Sequence, residues 1–204
     1  LSYTELGPTQ HSLEDIAILR TLPGLYVMAP GDATELRLTI RAALQQSHPV
    51  YIRIGKKGEP DIHQAQTSLT LGKVTIVQKG NDITLLCTGT LISEAVKTAQ
   101  LLAEKNLSVE VVSVHTIKPL DHDYLHFASK HFRLLVTLEE HGLIGGLGSA
   151  VSEWCMRETN GVSHLSIGTP DEFMHETGSQ AYARKKYGLV ADVIAERMLN
   201  RLRR

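Results

Sequence analysis

Two spacings of apolar residues alternate along the chain, and together they predict alternating strands and helices. Compact apolar runs such as DITLLCTG (82–89) and SVEVVSV (108–114) are typical of buried strands. Between these two runs, apolar residues within 91–106 recur at the spacing of a helix with one buried face. Strand–helix alternation of this kind predicts an α/β fold, with a parallel sheet covered by helices on both faces.

The alternation continues through the second part of the chain. Strands are predicted there at 73–78, 82–89, 108–114, 133–140 and 163–168. Helices are predicted at 91–106, 121–131, 147–159 and 189–203. We therefore expect this part to be a complete three-layer α/β domain.

The first part of the chain holds a shorter version of the same pattern. Strands are predicted at 25–30 and 50–54. Ser12 followed by Asp15, and Asp32 followed by Glu35, each match the pattern of a capped helix start. The second of these helices is expected to run to about residue 46.

Residues 57–72 separate the two parts. They combine Gly, Pro and polar residues without clear periodicity, which is typical of a linker. We therefore divide the chain into 1–56, the linker 57–72 and 73–204. Because the chain opens on LSYTELGP without Met, we expect it to begin inside a larger protein, and 1–56 to be the end of a preceding domain.

Composition excludes several classes of protein. The 21 Lys and Arg nearly balance the 22 Asp and Glu, which argues against a nucleic-acid-binding face. No apolar run reaches the length of a membrane span, and no signal peptide is visible. Cys87 and Cys155 lack C-x-x-C spacing, which favours a reducing cytoplasm over a disulfide framework.

A glycine-rich turn follows the strand 133–140. Its glycines are Gly142, Gly145, Gly146 and Gly148. Amides at the following helix N-terminus could bind a phosphate, although the spacing departs from G-x-G-x-x-G. Alternatively, the glycines let that helix pack tightly on the sheet.

Glu139, Glu140 and His141 stand at the carboxyl end of a predicted parallel strand, where ligands gather in open α/β sheets. A carboxylate beside an imidazole can transfer protons. Hydrogen bonding between domains or subunits is the alternative, and we favour it because pairing is the common fate of polar groups at such positions.

Three histidines, His122, His126 and His131, lie on or near one predicted helix. The first two have the i, i+4 spacing of metal ligands. No adjacent carboxylate or Cys completes a set, so a solvated helix face is the favoured alternative and no metal ligand is assigned.

Arg53 lies in the apolar strand VYIRI. Arg is rarely buried without a partner, and its planar fork suits a phosphate or a carboxylate. A ligand-binding role and a structural salt bridge both remain open on these grounds.

Read in order, several motifs resemble the transketolase-like, thiamine-diphosphate-dependent enzymes. They are GPTQHSLEDIAILRTLPGLYVMAPGD (7–32), PVYIRIGK (49–56), 82–121, VTLEEHGLIGGLGSAVSE (136–153) and 167–189. The resemblance implies a truncated parallel-sheet pyrimidine-binding domain followed by a transketolase C-terminal domain. The motifs HTIKPLD and EEHGLIGGLG resemble split transketolase-like proteins more than full-length sugar-phosphate transketolases, and they are also similar to deoxyxylulose-phosphate synthases and 2-oxoacid dehydrogenase beta subunits.

The resemblance implies transfer or cleavage of two-carbon (ketol) units with thiamine diphosphate and Mg²⁺. In the family, the catalytic Glu lies upstream of the GPT loop, and a separate domain or subunit holds the diphosphate and metal. No catalytic residue is therefore assigned, and we expect the chain alone to be inactive. A homodimer, or a partner subunit with the diphosphate-binding domain, is implied, with a sugar phosphate or 2-oxoacid as substrate.

The resemblance also implies substrate-binding roles for Gln10, His11 and Arg53. Gln10 stands where the family usually has a substrate-contacting His, and His11 is its neighbour. Leu6 replaces an Asp that contacts substrate hydroxyls in sugar-phosphate transketolases. Arg53 matches the Arg that binds the substrate phosphate. These departures argue against a standard pentose-phosphate substrate.

Two other functions stay open at this point. Leu6 and Gln10 are compatible with a non-catalytic assembly or dimerisation module whose loop has lost its role. A beta-type subunit of a 2-oxoacid dehydrogenase, or a deoxyxylulose-phosphate-synthase-like enzyme, would share the same architecture.

Overall fold

The computed structural model describes residues 1–56, 58–158 and 161–203. The strands are β1 (Tyr26–Met28), β2 (Val50–Ile52), β3 (Thr75–Gln78), β4 (Ile83–Thr88), β5 (Val109–Ser113), β6 (Thr116–Lys118), β7 (Leu134–Gly142) and β8 (His164–Thr169). The helices are α1 (Asp15–Arg20), α2 (Ala33–Ala43), α3 (Ile92–Ala103), α4 (His122–His131), α5 (Leu147–Glu158), α6 (Gln180–Lys186) and α7 (Ala191–Leu202). Two short 3-10 helices precede α1, at Thr4–Leu6 and Pro8–Gln10, and a third precedes α3 at Gly89–Leu91.

The larger sheet has five strands in the order β3-β5-β4-β7-β8. The last four of these are parallel to their neighbours, whereas β3 is antiparallel to β5 at the edge. All six residues of β4 are buried, as expected for a central parallel strand. The predicted parallel sheet is confirmed, apart from its antiparallel edge.

Helices cover both faces of this sheet, which confirms the three-layer arrangement. Neighbouring residues of β4 point to opposite faces, so Leu85 and Leu86 belong to different apolar cores. The core on the Leu85 side includes Ile194 of α7, and the core on the Leu86 side includes Trp154 of α5.

The smaller sheet has the order β2-β1-β6, and β6 was not predicted. β1 and β2 are parallel, but β6 comes from residues beyond position 73 and pairs antiparallel with β1. Ile117 of β6 is buried with Ile16, Val27 and Ala29. The two sheets are therefore joined through the backbone as well as through side chains.

The two predicted helix caps have different outcomes. Asp32 caps α2, because its Oδ1 accepts a hydrogen bond from the Glu35 main-chain nitrogen at 2.8 Å. The Ser12 cap is wrong: α1 begins at Asp15, its N-cap position is Glu14, and Ser12 has a φ of +49°. The carboxylate of Asp15 bonds to Arg53 and Tyr51 instead.

The connecting residues 58–72 contain neither helix nor strand. The first linker residue, 57, and the last residue of the predicted helix 147–159 lie outside the described residues. Within the described part of the chain, no helix combines the length and the apolar character needed to cross a membrane.

Candidate functional site

A cleft of about 190 Å³ opens where the ends of the two sheets meet. The loop 10–12 and the residues at the end of β2 line one side of it. The other side consists of residues 88–90 after β4, together with Glu140 near the end of β7. Because β2, β4 and β7 all contribute near their carboxyl ends, the cleft has the position typical of ligand sites in open α/β folds.

Gln10 and His11 both line this cleft, but they occupy different environments. Gly7, with a φ of +84°, sets the turn from which the 3-10 helix Pro8–Gln10 begins. Gln10 is exposed, whereas His11 is only 4% exposed. The His11 Nε2 atom lies 3.4 Å from the Thr4 carbonyl oxygen. The imidazole is thus turned inward, and the amide of Gln10 lies on the solvent side.

Arg53 lines the same cleft and is held there by several acceptors. Its Nε donates to Asp15 Oδ2 at 2.9 Å, and its Nη1 donates to the Glu140 carbonyl oxygen at 2.7 Å. Its Nη2 donates to Asp15 Oδ1 and to the Ser12 carbonyl oxygen. The structural ion pair, one of the two alternatives for Arg53, is therefore present. Its binding of a substrate phosphate stays a prediction.

Asp15 is the partner that sequence reasoning missed, because its position was attributed to a helix cap. Burial raises its pKa, but the charge and hydrogen bonds of Arg53 and the hydroxyl of Tyr51 outweigh that effect, so the pKa lies below its usual value. Burial, together with the hydrogen bond to Asp15, raises the pKa of Tyr51 to about 12. Asp15 is therefore an ionised anchor for Arg53.

Glu140 is held by α6, a helix that the sequence pattern did not reveal. Arg184 of this helix donates from Nε to Glu140 Oε2 at 2.6 Å, and from Nη2 to Thr90 Oγ1 at 2.8 Å. Both acceptors belong to residues that line the cleft. Arg184 thus joins the ends of β4 and β7 at the site.

His141 connects β7 of the larger sheet to helix α1. Its Nε2 accepts a hydrogen bond from the Ala17 main-chain nitrogen at 3.2 Å, so Nδ1 carries the proton and donates to the Gly142 carbonyl oxygen at 2.7 Å. Burial lowers the pKa of His141 and favours this neutral form. The favoured alternative, hydrogen bonding between the two parts of the chain, is confirmed for His141.

Glu139 occupies the N-terminus of α5. Its carboxylate oxygens accept hydrogen bonds from the main-chain nitrogens of Leu147 and Gly148, at 2.6 and 2.7 Å. Burial raises the pKa of Glu139 to about 7, despite these two donors. An internal carboxylate therefore takes the place that a phosphate would need.

The glycines of this turn permit close packing. A Cβ on Gly146 would lie 2.1 Å from Glu139 Oε2, and one on Gly148 would lie 2.7 Å from Ser166 Oγ. The tight-packing alternative accounts for both positions.

The three histidines of α4 do not converge. His126 contacts Trp154 edge-on, and the His131 ring stacks on Phe127. Across residues 1–56, 58–158 and 161–203, no group of three His, Cys, Asp or Glu side chains is placed to hold a metal ion.

A second polar cluster, missed in the sequence, lies outside the set of residues that line the cleft. His63, from the connecting residues, is buried between the carboxylates of Asp32 and Glu35. The cap pattern identified both acids, but no sequence signal placed a histidine of a polar linker beside them.

Comparison with known proteins points to one family. Residues 72–194 match the model of the transketolase C-terminal domain, and residues 1–59 match that of the transketolase pyrimidine binding domain. The chain is 37% identical over 188 residues to the 6-deoxy-6-sulfo-D-fructose transketolase subunit SqwH of Clostridium sp. (strain MSTE9), covering 92% of this chain and 58% of that protein. It is 33% identical over 201 residues to a subunit of the apulose-4-phosphate transketolase of Phocaeicola vulgatus, covering 98% of this chain and 63% of that one.

A solved structure gives the same indication. The chain resembles a "split gene transketolase, inactive beta4 tetramer" with a TM-score of 0.84 and 30% identity, over 93% of this chain and 61% of that one. The chain thus spans less than two thirds of the length of each of these three proteins.

Proposed function

The chain belongs to the transketolase family, and from this premise we propose that it is the C-terminal section of an enzyme that transfers or cleaves two-carbon (ketol) units. The observation that carries the proposal is the cleft at the junction of the two sheets, which brings Gln10, His11 and Arg53 together. The names of the relatives, both transketolase subunits, support the same reaction class.

Membership of the family implies thiamine diphosphate as cofactor, with Mg²⁺. When bound, thiamine diphosphate supplies the electron sink that allows a bond next to a carbonyl to break. The described residues do not fit its diphosphate and metal part: they form no metal-ligand cluster, and Glu139 fills the N-terminus of α5. We therefore assign those groups to another domain or to a partner subunit, and this chain to the substrate end of the site.

We assign Gln10 and His11 to substrate recognition and proton handling. Gln10 offers one acceptor and two donors but cannot change its charge. An imidazole, unlike an amide, can donate or accept a proton in a reaction, and the His11 ring is the one turned inward. The proton-transfer role that Gln10 cannot fulfil therefore falls to His11.

We propose an anionic ketose as substrate. The two relatives are named for a sulfonated sugar and for a sugar phosphate, and both carry an anion that an arginine fork can bind. Arg53 and Arg184 are the guanidinium groups beside the cleft, although each already binds a carboxylate. A 2-oxoacid donor would present a carboxylate to the same groups. The spacing of the cysteines further supports a cytoplasmic location.

Calorimetric titration of the chain with thiamine diphosphate and Mg²⁺ tests the division of the site. We expect weak binding by the chain alone and no ketol transfer. Adding the subunit that carries the diphosphate-binding domain is expected to produce tight binding and turnover of a ketose phosphate or sulfonate. Tight cofactor binding by the isolated chain would contradict the proposal.

A non-catalytic assembly module is the second candidate, and two observations favour it. The similar solved structure is named an inactive tetramer of beta chains, and Leu6 is 60% exposed at the position where the family has its hydroxyl-binding Asp. Loss of ketol transfer in the reconstituted enzyme on His11→Ala would exclude this candidate. A beta-type subunit of a 2-oxoacid dehydrogenase, or a deoxyxylulose-phosphate-synthase-like enzyme, would be recognised by turnover of a 2-oxoacid donor in the same assay.

A further inference from the structure

Three buried titratable side chains meet where the connecting residues 58–72 cross the junction between the two sheets. The side chains of Asp32, Glu35 and His63 are between 0% and 2% exposed. His63 Nδ1 lies 3.0 Å from Asp32 Oδ2, and His63 Nε2 lies 3.3 Å from Glu35 Oε1. One imidazole thus separates two buried carboxylates.

The carboxylate of Asp32 binds the connecting residues through their backbone. Its Oδ2 accepts hydrogen bonds from the main-chain nitrogens of Ile62 and His63, at 2.8 and 2.7 Å. Its Oδ1 caps α2. Both oxygens act as acceptors, so Asp32 is held in its ionised form, with a pKa far below its usual value despite burial.

The carboxylate of Glu35 connects a residue next to the smaller sheet with a residue of the larger sheet. Its Oε2 accepts from the Gly31 main-chain nitrogen at 2.6 Å, beside the cleft, and its Oε1 accepts from the Ser113 hydroxyl at 2.7 Å, at the end of β5. Besides the Ser113 hydroxyl, Oε1 also faces the imidazole of His63.

We propose that the imidazole of His63, when protonated, is the counter-charge shared by the buried carboxylates of Asp32 and Glu35, and that this proton forms a pH-sensitive latch fastening residues 58–72 to the junction of the two sheets. Its Nδ1 is hydrogen-bonded to Asp32, whereas its Nε2 lies within ion-pair distance of Glu35 without the geometry of a hydrogen bond. When the proton leaves, the lone pair of Nε2 faces a carboxylate oxygen at 3.3 Å without an intervening proton. Two buried carboxylates then lack a cation, which is costly in a low-dielectric interior.

Other groups around the latch do not supply a replacement charge. Burial and the neighbouring charge of His63 lower the pKa of His115 to about 4, so His115 is neutral when the latch is closed. Burial raises the pKa of Cys87, next to Glu35 on the β4 side, well above its usual value, so it too is neutral. Asp121, which faces His115, is a further acid.

The direction of the pH dependence follows from both partners. Burial opposes protonation of His63, but the hydrogen bond to Asp32 and the charges of both acids raise its pKa above 6.5. Burial raises the pKa of Glu35 as well. Both effects favour binding of the proton in the folded state. The latch therefore contributes its full stabilisation of the fold below about pH 6.5, and this stabilisation is lost as pH rises through the folded-state pKa of the pair.

Opening the latch would loosen one wall of the cleft. Glu35 holds Gly31, and Pro30 beside it lines the cleft. Gly31 has no room to shift towards α3, since even a Cβ there would lie 2.8 Å from Ile92. His63 is therefore a positioning residue for this wall, whatever reaction takes place there.

The test compares thermal unfolding of the wild type, His63→Gln and His63→Ala from about pH 6 to about pH 9. Gln keeps a donor for Asp32 but cannot titrate, whereas Ala removes the latch. We expect the wild type to exceed His63→Gln in Tm by roughly 5–15 °C near pH 6, with the difference shrinking by more than half towards pH 9. His122→Gln, an exposed substitution on α4, is the matched control and should track the wild type throughout.

Hydrogen exchange locates the effect. Compared at the same pH, His63→Ala should exchange faster than the wild type at the amides of residues 58–72 and of Gly31, by at least about tenfold. A Tm difference that stays constant from pH 6 to 9, or unchanged exchange in these residues, would overturn the proposal. Neither measurement requires catalysis or a partner subunit. The two measurements therefore test the latch independently of the proposed enzymatic function.

Discussion

The imidazole of His141 accepts a hydrogen bond from the main-chain nitrogen of Ala17, 3.2 Å away. The two residues lie 124 positions apart in the chain, one in α1 beside the smaller sheet and the other in strand β7 of the larger sheet. The contact fixes α1, and with it the loop 10–12, against the strand that supplies Glu140 to the cleft. The position of the candidate site thus depends on bonds between the two halves of the chain.

Replacing His141 by Leu removes this acceptor and leaves a main-chain N–H without a partner. We expect a loss of about 1–2 kcal/mol of unfolding free energy, because an unsatisfied, partly buried donor keeps part of its desolvation cost. Urea denaturation measures it, with the exposed His122→Leu as the control. Equal stabilities of the two variants would show that Ala17 finds another acceptor.

The same histidine predicts an acid dependence. The pKa of His141 is lowered in the folded state. Its contribution to the free energy of unfolding is therefore present above about pH 6.5 and is lost as pH falls through the folded-state pKa. The stability difference between wild type and His141→Leu should therefore shrink at acidic pH. This direction is opposite to that of the His63 latch, which allows the two histidines to be distinguished in one pH series.

Asp15→Asn would leave the Arg53 guanidinium without its counter-charge. The side chains are only 11% and 20% exposed, so we expect a loss of about 2–4 kcal/mol, well above that of a surface pair. Glu153→Gln breaks an ion pair with Arg20 in which Glu153 is 50% exposed, and should cost less than about 1 kcal/mol. Similar losses in the two variants would indicate that Arg53 does not depend on Asp15.

Gly146→Ala tests the packing of the glycine-rich turn. The new Cβ would lie 2.1 Å from Glu139 Oε2 and 2.7 Å from His141 Nδ1, and Glu139 is fixed by two main-chain donors. We expect a loss of about 2–3 kcal/mol in chemical denaturation. Gly142→Ala, whose nearest contact would be 3.4 Å away, should cost less than about 1 kcal/mol.

Activity of the reconstituted enzyme separates the roles of the two loop residues. His11→Ala should lower kcat/KM by about 10²–10⁴, the range expected for losing a proton-transfer group. Gln10→Ala should cost only about tenfold, as for a lost hydrogen bond. If both variants stay within about threefold of the wild type, the loop has no catalytic part and the assembly module gains support.

The local pattern of apolar residues was sufficient to predict most strands of the larger sheet. Most residues of β4 and β5 and the first half of β7 are apolar because these strands are buried on both faces, and this pattern is visible in a short window of the sequence. The same holds for α3 and α7, whose buried positions follow helical spacing. Asp32 was predicted as a cap because capping involves only neighbours in the chain.

Local pattern failed where a partner lies far along the chain. β6 has three residues and depends on pairing with β1, and α6 is a short helix fixed by contacts of Arg184. Ser12 and Asp15 matched a cap, but the charge of Arg53, 38 residues away, draws the carboxylate into an ion pair. A charge-assisted bond in a partly buried site outweighs a cap of about 1 kcal/mol.

The sequence by itself determined the α/β class, the resemblance to the transketolase family, and the presence of Gln10, His11 and Arg53 as candidate site residues. Only the tertiary structure decided which groups meet. In the folded chain His11 points inward and Arg53 is paired with Asp15. Glu139 occupies the N-terminus of α5, and His63 of the polar linker lies between two buried acids. The physical reason is that burial sets the strength of these polar contacts, and burial at a junction depends on both sheets at once.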